Sequence, residues 1–269
     1  MQSEKQSSEK MLEIANTYFN LQANWAITKH MGGLKATEKL FELCHIDGKR
    51  YVLVVGCGVG VTPCYLAGKY GSRVIGVDLS EEMVERSRKR AKNKGMAGIA
   101  EFQVADAQDL PFEDNTFDAV ICESVNAFIT EKTKAMTEYA RVTKPGGYVG
   151  FNEVTWLEMP PADLVEYLYR IMGAEFLTGN DWKRLLDDSE LSEITALIYK
   201  TNVLSQWINE VRQIEFYDFL RAWSTFIYLF FTNKACRRFA KEALSFPRSI
   251  LSLFRYFGYG IYVGREPDI

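Results

Sequence analysis

The sequence predicts an α/β fold in which a doubly wound, mostly parallel sheet carries helices on both faces. The first observation is a Val-rich run, Tyr51–Val55, that leads directly into three glycines at Gly56, Gly58 and Gly60. The run is too short for a helix and is typical of a strand buried on both faces. The second observation is that strand-like and helical patterns alternate along the chain, which favours right-handed parallel crossovers.

Composition indicates a globular protein of the cytoplasm without a metal centre. Apolar residues make up 47% of the 269 residues, and the net charge of −3 gives no general attraction to nucleic acid. Five cysteines without a C-x-x-C pair predict reduced thiols, and two histidines are too few for an expected metal site. Residues 1–10 lack the apolar region of a signal peptide, and the apolar run 222–231 is far shorter than the roughly 20 residues of a membrane span.

The predicted elements fill a single domain of residues 1–269. Seven strands are expected, at residues 51–55, 73–78, 100–105, 117–123, 148–153, 195–202 and 257–264. Helices are expected at residues 9–29, 36–44, 61–70 and 132–142, after Ser80 as an N-cap, from Pro160-Pro161 and from residues 181–186. Residues 144–147 are expected to form a turn before the fifth strand.

A helical insertion at residues 203–256 precedes the last strand and divides the domain into four parts. These parts are an N-terminal helical lid at 1–45, a cofactor-binding core at 46–202, the cap insertion itself, and the last strand with the tail at 257–269. Residues 203–263 contain sixteen aromatic residues, about twice the chain-wide share of 13%. Two interpretations stay open: ordinary helix packing, or an apolar lid with a basic rim over a ligand pocket.

The glycine loop predicts a site for a nucleotide-type cofactor. Bare backbone lets a ligand approach closely, and the start of the following helix offers N–H groups without partners. A dinucleotide fingerprint, G-x-G-x-x-G, would need glycine at position 61, where this chain has Val61. The spacing therefore disfavours NAD.

Two acids stand at the ends of the next two predicted strands. Asp78 lies 22 residues after Gly56, where an acid accepts both hydroxyls of a ribose in nucleotide-binding α/β folds. Asp106 ends the third strand, where its carboxylate can accept from an adenine amino group. The alternative for both acids is the N-cap of the next helix.

Further motifs complete a pattern that resembles a known family. Residues 110–112, Leu-Pro-Phe, lead to Phe117-Asp118 ahead of the fourth strand, and residues 144–147, Lys-Pro-Gly-Gly, precede the fifth. Together with the glycine loop and the two acids, they resemble the class I methyltransferases that use S-adenosylmethionine, and most of all the ubiquinone/menaquinone C-methyltransferase-like branch. The resemblance covers about residues 30–155. It implies a seven-stranded Rossmann-like methyltransferase sheet with an N-terminal helical lid.

The resemblance implies S-adenosylmethionine as the cofactor, without a metal. It implies that Gly56, Cys57, Gly58 and Gly60 surround the methionine part of the cofactor, and that Glu123 and Ser124 lie below the methionine and the sulfonium. It also implies that Asp78 holds the ribose with Leu79 beside the adenine, and that Asp106 and Ala107 bind the adenine. Tyr18 of the lid is implied as a further cofactor contact, with helix packing as its alternative. One departure is Val54, at a position where the family often has an acid that helps to hold the amino group. We expect Glu123 or backbone carbonyls to make that contact instead.

The acceptor side is predicted from fewer residues. His30 is a candidate general base, with a surface or capping role as its alternative, and Glu153 is a candidate catalytic residue at the end of the fifth strand, with simple solvation as its alternative. Trp25, Trp223 and Tyr228 are candidates for the substrate pocket. A sulfonium methyl is already electrophilic, so a base is needed only if the acceptor must lose a proton.

The predicted function is methyl transfer from S-adenosylmethionine to a small, largely apolar or aromatic acceptor. A membrane-associated lipid or quinone methyltransferase and a non-catalytic cofactor-binding module stay open as alternatives. Amino-directed nucleic-acid methylation is disfavoured, because residues 123–126 read Glu-Ser-Val-Asn rather than Asn/Asp-Pro-Pro-aromatic. The expected partner is a small molecule and not a nucleic acid, while peripheral membrane contact and a homodimer are left open.

Overall fold

The computed structural model of the protein describes residues 31–201 and 216–268, with the backbone alone at residues 216–223. The predicted helix at residues 9–29, which carries Tyr18 and Trp25, lies outside the described residues. His30 and residues 203–215 of the predicted cap also lie outside them.

A single sheet forms the centre of the described chain. Its eight strands are β1 (Tyr51–Val55), β2 (Arg73–Asp78), β3 (Ala100–Val104), β4 (Phe117–Glu123), β5 (Thr143–Trp156), β6 (Leu177–Thr178), β7 (Ser192–Lys200) and β8 (Phe257–Arg265). The order across the sheet is β3-β2-β1-β4-β5-β8-β7, with β6 paired to β5 outside this path. Strand β8 pairs antiparallel with both of its neighbours, and the pairs among β1 to β6 are parallel. This arrangement confirms the doubly wound α/β prediction.

Helices cover both faces of the sheet. They are α1 (Gly33–Leu43), α2 (Val61–Tyr70), α3 (Glu81–Asn93), α4 (Lys132–Val142), α5 (Ala162–Met172), α6 (Gly179–Asp187), α7 (Phe216–Thr232), α8 (Lys234–Leu244) and α9 (Leu253–Tyr256), with 3₁₀ turns at Asn126–Phe128 and Arg248–Ser252. Buried residues of α1, α2 and α3 form one core layer with the sheet, and those of α4, α5 and α6 form the other. The two layers bury both faces of β1 and β4, which explains the continuous apolar runs of these strands.

The chain order reverses at β1, which lies between β2 and β4. The connection that follows β1 therefore runs to β2 on one side, and the connection that follows β4 runs to β5 on the other side. A crevice forms outside the carboxyl ends of the strands at such a switch point, and ligands of open α/β sheets bind there. The glycine loop, residues 56–60, follows β1 directly at this point.

Local signals placed most elements correctly, and two predictions about β5 were wrong. Ser80 is the N-cap of α3, since its Oγ accepts a hydrogen bond from the N–H of Met83. Residues 144–147 are not a turn outside β5 but a bulge within it, because Phe117 pairs with Thr143 while Ala119 pairs with Tyr148. The same strand continues past residue 153 to Trp156, since β8 pairs with its residues 148–156. The two-residue strand β6 was not predicted.

The described part of the cap is anchored to α5, the helix that follows the carboxyl end of β5. Tyr167 Oη donates to the carbonyl of Ala243 at 2.6 Å, and Ser249 Oγ donates to Asp163 Oδ2 at 2.9 Å. Arg170 forms an ion pair with Glu242 at 3.6 Å. Among residues 31–201 and 216–268, the helices are too short or too polar to span a bilayer.

Candidate functional site

Three left-handed glycines shape the loop after β1. The φ angles of Gly56, Gly58 and Gly60 are 66°, 52° and 77°, a region that side-chain-bearing residues rarely adopt. A Cβ atom at Gly56 would overlap the side chain of Val125, and one at Gly60 would lie 2.9 Å from Ser87. A Cβ at Gly58 would meet open space. The loop is therefore packed from two sides and bare on the third, which is the side a ligand can approach.

Asp78 ties the glycine loop to the carboxyl end of β2. Its Oδ2 accepts from the N–H of Gly58 at 2.9 Å and its Oδ1 accepts from the N–H of Ser80 at 3.0 Å. Burial raises the pKa of the Asp78 carboxyl, and the two backbone N–H groups act against that rise. Each carboxylate oxygen keeps a lone pair after these bonds, so both can also accept from a vicinal diol. The neighbouring Leu79 is 74% exposed and offers an apolar surface beside the carboxylate.

Asp106 closes a tight turn after β3. Its Oδ1 accepts from the backbone N–H of Gln108 at 2.9 Å and from Gln108 Nε2 at 3.1 Å. Gln108 Oε1 in turn accepts from the N–H of Glu131, which links this turn to the start of α4. Asp106 and Ala107 are half-buried. Gln108 was missed from sequence, although an Asp two residues before a polar residue is a common side-chain turn signal.

Glu123 ends β4 as a buried carboxylate that joins three elements. Its Oε1 accepts from Thr37 Oγ1 of α1 at 2.7 Å, and its Oε2 accepts from Thr62 Oγ1 of α2 at 2.9 Å. Both threonines are buried and both were missed from sequence. A sequence pattern could have indicated Thr37, because it is a hydroxyl residue on the apolar face of α1, between the buried residues Ala36 and Leu40.

Ser124, directly after β4, has a left-handed backbone with φ at 58°, which is uncommon for a residue with a side chain. Its N–H donates to the carbonyl of Asn152 at 2.8 Å, and its Oγ accepts from the N–H of Met31 at 3.5 Å. Asn152 Nδ2 also donates to the carbonyl of Met31 at 2.6 Å. The backbone of Met31 is therefore held by β4 and β5 at the carboxyl end of the sheet.

Glu153 lies beneath the site rather than at its surface. The prediction that it ends β5 was wrong, and so was the alternative that it is solvated, because it is 1% exposed. Its Oε1 accepts from the N–H groups of Val125 and Asn126, each at 2.6 Å. Burial raises the pKa of the Glu153 carboxyl to about 8, against the effect of these N–H groups. Glu153 thus holds the turn that carries Val125 against Gly56, and a catalytic role for it stays a prediction.

This buried carboxyl predicts a pH-dependent stability. The folded chain keeps the proton of Glu153 up to about pH 8, whereas the unfolded chain releases it near the ordinary value of 4.5. The contribution of protonated Glu153 to the free energy of unfolding is therefore complete below pH 4.5 and is lost as the pH rises through about 8. Between these two values the free energy of unfolding falls by about 1.4 kcal/mol per pH unit for one proton.

Thermal unfolding of wild type and Glu153→Gln across this pH range measures the effect. The glutamine Oε1 still accepts from both N–H groups but does not titrate, so the variant should lose less stability than wild type as the pH rises. Parallel pH profiles for the two proteins would contradict the assignment.

The remaining predicted residues are less constrained. Cys57 is buried, and burial raises the pKa of its thiol to about 12, so it stays neutral and acts by its size and its backbone. Tyr228 lies on α7 and is 66% exposed. Trp223 also lies on α7, while Trp25 and His30 fall outside the described residues. Within the described ranges, no group of three or more His, Cys, Asp or Glu side chains is arranged to hold a metal ion.

Comparison with known proteins agrees with this geometry. Residues 53–151 match the family model described as a methyltransferase domain. Methyltransferase GfsG of Streptomyces halstedii is 34% identical over 122 residues, which are 45% of this chain and 44% of that protein. An uncharacterised protein of Haemophilus influenzae is 30% identical over 178 residues, which are 65% of this chain and 71% of that protein. The chain therefore spans less than half the length of the named relative.

Solved structures share the fold at low sequence identity. The [4+2]-cyclase SpnF superposes with a TM-score of 0.68 at 21% identity, over 87% of this chain and 81% of that one. The geranyl diphosphate C-methyltransferase of Streptomyces coelicolor A3(2), solved with Mg²⁺, geranyl diphosphate and S-adenosyl-L-homocysteine, gives 0.65 at 16% identity, over 86% and 78%. These likenesses support the architecture, since one fold hosts different chemistries.

The strand order, the glycine loop at the switch point and the matched domain define a cofactor-binding α/β fold of the methyltransferase type. The chain belongs to the class I S-adenosylmethionine-dependent methyltransferases.

Proposed function

We propose that the protein transfers a methyl group from S-adenosylmethionine to a small, largely apolar or aromatic acceptor. The observation that carries this proposal is the convergence of the glycine loop, Asp78 and Glu123 at the carboxyl ends of β1, β2 and β4. These three strands are adjacent in the sheet, on the two sides of its switch point. Membership of the ubiquinone/menaquinone-like branch is part of the proposal and is supported by the motif spacing alone.

The residues present fit S-adenosylmethionine. The open side of Gly58 admits the methionine part, and both Asp78 oxygens can accept from the ribose hydroxyls. The exposed side chain of Leu79 suits a contact with the adenine ring, and Asp106 with Ala107 suits the adenine edge. Position 54 carries a buried valine, so this chain has no acid there to hold the amino group of the cofactor. Glu123 is the nearest carboxylate in sequence to the strained Ser124, and we assign the amino group to its neighbourhood.

When bound, the cofactor supplies an electrophilic sulfonium methyl, so the protein has to orient and shield rather than activate it. Glu123 fixes α1 and α2 against the end of β4 through Thr37 and Thr62. Glu153 holds the turn after Ser124 in place. His30 remains the proposed general base for acceptors that must lose a proton, supported by the position of the adjacent Met31 backbone at this end of the sheet.

The acceptor is proposed to lie between the N-terminal lid and the cap. Support comes from the anchoring of the cap to α5, which follows the carboxyl end of β5, and from the aromatic content of the segment. Trp25, Trp223 and Tyr228 stay the proposed pocket residues. We also propose that the chain forms a single domain with the division given above, and that the protein is cytoplasmic. A homodimer and the absence of a nucleic-acid partner are two further proposals.

The acceptor class is tested by the release of S-adenosylhomocysteine in the presence of metabolite extracts separated by polarity. We expect release with the apolar and aromatic fractions and not with nucleic acid. Release with polar fractions alone would contradict the acceptor class. A protein that binds the cofactor but releases product with no fraction would support a non-catalytic module, or a different chemistry on the same fold.

The spacing of the glycine loop predicts which nucleotide cofactor stabilises the protein. Val61, the first residue of α2, occupies the position of the third glycine of the dinucleotide fingerprint, and its side chain would crowd the helix–strand approach. In a thermal shift assay, S-adenosylhomocysteine at 100 times its dissociation constant should stabilise the fold by about 2.7 kcal/mol, and NAD should give no shift. Stabilisation by NAD alone would refute this assignment.

A further inference from the structure

The solvent-facing side of α8 is a basic stripe. Lys234, Arg237, Arg238 and Lys241 are exposed and follow one another at helical i, i+3, i+4 and i+7 spacing, so they share one face. The opposite face packs inward: Cys236 is buried, and Phe239 and Ala243 contact the core. We call these four basic residues the basic face.

Large apolar side chains flank the basic face at both ends. Phe231 precedes α8, and Leu244, Phe246 and Leu251 follow its last basic residue. All four are exposed, with Phe231 at 75%, Leu244 at 76% and Leu251 at 90%. Single exposed apolar residues are ordinary on protein surfaces, but several large ones in one short segment beside basic residues favour an interaction site. We call these four apolar residues the apolar flank.

Charge is unevenly distributed between this segment and the rest of the protein. Residues 234–256 contain six basic residues and one acid, while the whole chain has a net charge of −3. The one acid, Glu242, pairs with Arg170 of α5 and so lies on the inward side. The protein therefore presents a cationic surface on an otherwise acidic body, which orients it toward an anionic plane.

We propose that the basic face and the apolar flank dock the protein peripherally on a bilayer that contains anionic phospholipids. Lysine and arginine side chains pair with phosphate headgroups, and exposed Phe and Leu side chains enter the boundary between headgroups and acyl chains. A second copy of the chain would bring like charges together across this face, and a nucleic acid would leave the apolar flank in water. The proposal is independent of the methyl acceptor, because it concerns the outer side of the cap.

Co-sedimentation with vesicles tests the proposal on the full chain. One set of vesicles contains phosphatidylcholine alone, and the other also contains phosphatidylglycerol. We expect binding to the anionic vesicles only, and a loss of binding as the salt concentration rises. Equal binding to both sets, or no binding to either, would overturn the proposal. A preference for RNA over anionic vesicles in competition would also overturn it.

Matched variants distinguish binding through the basic face from an effect of the net charge of the protein. Each basic residue near an anionic surface contributes about a five-fold change in binding, so Lys234→Gln with Lys241→Gln should weaken vesicle binding about 30-fold. Lys89→Gln with Lys92→Gln on α3 removes the same charge from another surface and should leave binding unchanged. Arg237 is left intact, because it donates to the carbonyls of Phe230 and Phe231 at the end of α7.

The apolar flank is tested by Phe246→Ser with Leu251→Ser. Both side chains are exposed, so the variant should unfold at the same temperature as wild type while its binding to anionic vesicles falls at least ten-fold. Unchanged binding of this variant to anionic vesicles would show that charge attraction alone holds the protein there. That result would overturn the proposal that the apolar flank enters the bilayer. Binding of S-adenosylhomocysteine should be equal in all these variants, because none of the changed residues belongs to the glycine loop, Asp78 or Glu123, so failure here and failure of the proposed function are distinguishable.

Discussion

Gly56→Ala is expected to destabilise the protein by roughly 2–5 kcal/mol and to abolish cofactor binding. The φ angle of Gly56 is 66°, which costs about 1–2 kcal/mol for a residue with a Cβ. The new methyl group would overlap the side chain of Val125, and overpacking of this kind costs about 1–3 kcal/mol more. Val125 cannot withdraw freely, because its N–H is bonded to the buried Glu153.

Gly71→Ala is the matched control for this prediction. Gly71 follows α2 with φ at 76°, and a Cβ there would meet no atom within 4 Å. Gly71→Ala should therefore lose only the stability that corresponds to the cost of a left-handed backbone for alanine. It should bind S-adenosylhomocysteine as tightly as wild type does. Denaturant unfolding and calorimetric titration measure both quantities. Equal loss of stability in the two variants would show that the contact between Gly56 and Val125 has no energetic role.

Asp78→Ala is expected to weaken the binding of S-adenosylhomocysteine by roughly 10- to 150-fold, which corresponds to about 1.5–3 kcal/mol for hydrogen bonds to a charged group. The variant removes the acceptor of the ribose hydroxyls in the proposed complex. It also leaves the N–H groups of Gly58 and Ser80 without their partner, so the loop itself loses a constraint.

Asp118→Ala provides a control with the same chemistry at the opposite end of the sheet. Asp118 accepts from the N–H of Tyr51 at 2.8 Å and pairs with Lys144 at 3.1 Å, near the amino ends of β1 and β4. Its loss should lower stability without changing cofactor affinity. Calorimetry that shows an unchanged dissociation constant for Asp78→Ala, or a similar loss for Asp118→Ala, would refute the position of the site.

The sequence was most informative where local rules decide the structure. The bounds of β1, β2 and β4, and of α2 and α4, were predicted to the residue, because short Val-rich runs, glycines and polar boundaries act over a few positions. The length of β5 was not, since its bulge depends on pairing with β4 and its extension to Trp156 depends on pairing with β8, more than 100 residues later. A short strand such as β6 carries too little pattern to be recognised.

The candidate site divides in the same way. The positions of the glycine loop and of Asp78 and Glu123 at strand ends were predictable, because they follow from the bounds of short buried strands. The partners that hold them were not, since the bond from Thr37 to Glu123 joins residues 86 apart and the bond from Asn152 to Met31 joins residues 121 apart. Glu153 shows the limit most clearly: an acid at a presumed strand end predicts exposure, yet its partners in the turn after β4 bury it.

Methyl transfer to a small molecule is tested most directly with S-adenosylmethionine that carries a deuterated methyl group, incubated with the protein and a metabolite extract. We expect a small, apolar or aromatic product that carries the labelled methyl, formed by wild type and strongly reduced with Asp78→Ala. Mass spectrometry of the extract detects the labelled product whichever compound is the acceptor. Label found only in nucleic acid, or no labelled small molecule from a protein that binds S-adenosylhomocysteine, would contradict the proposed function.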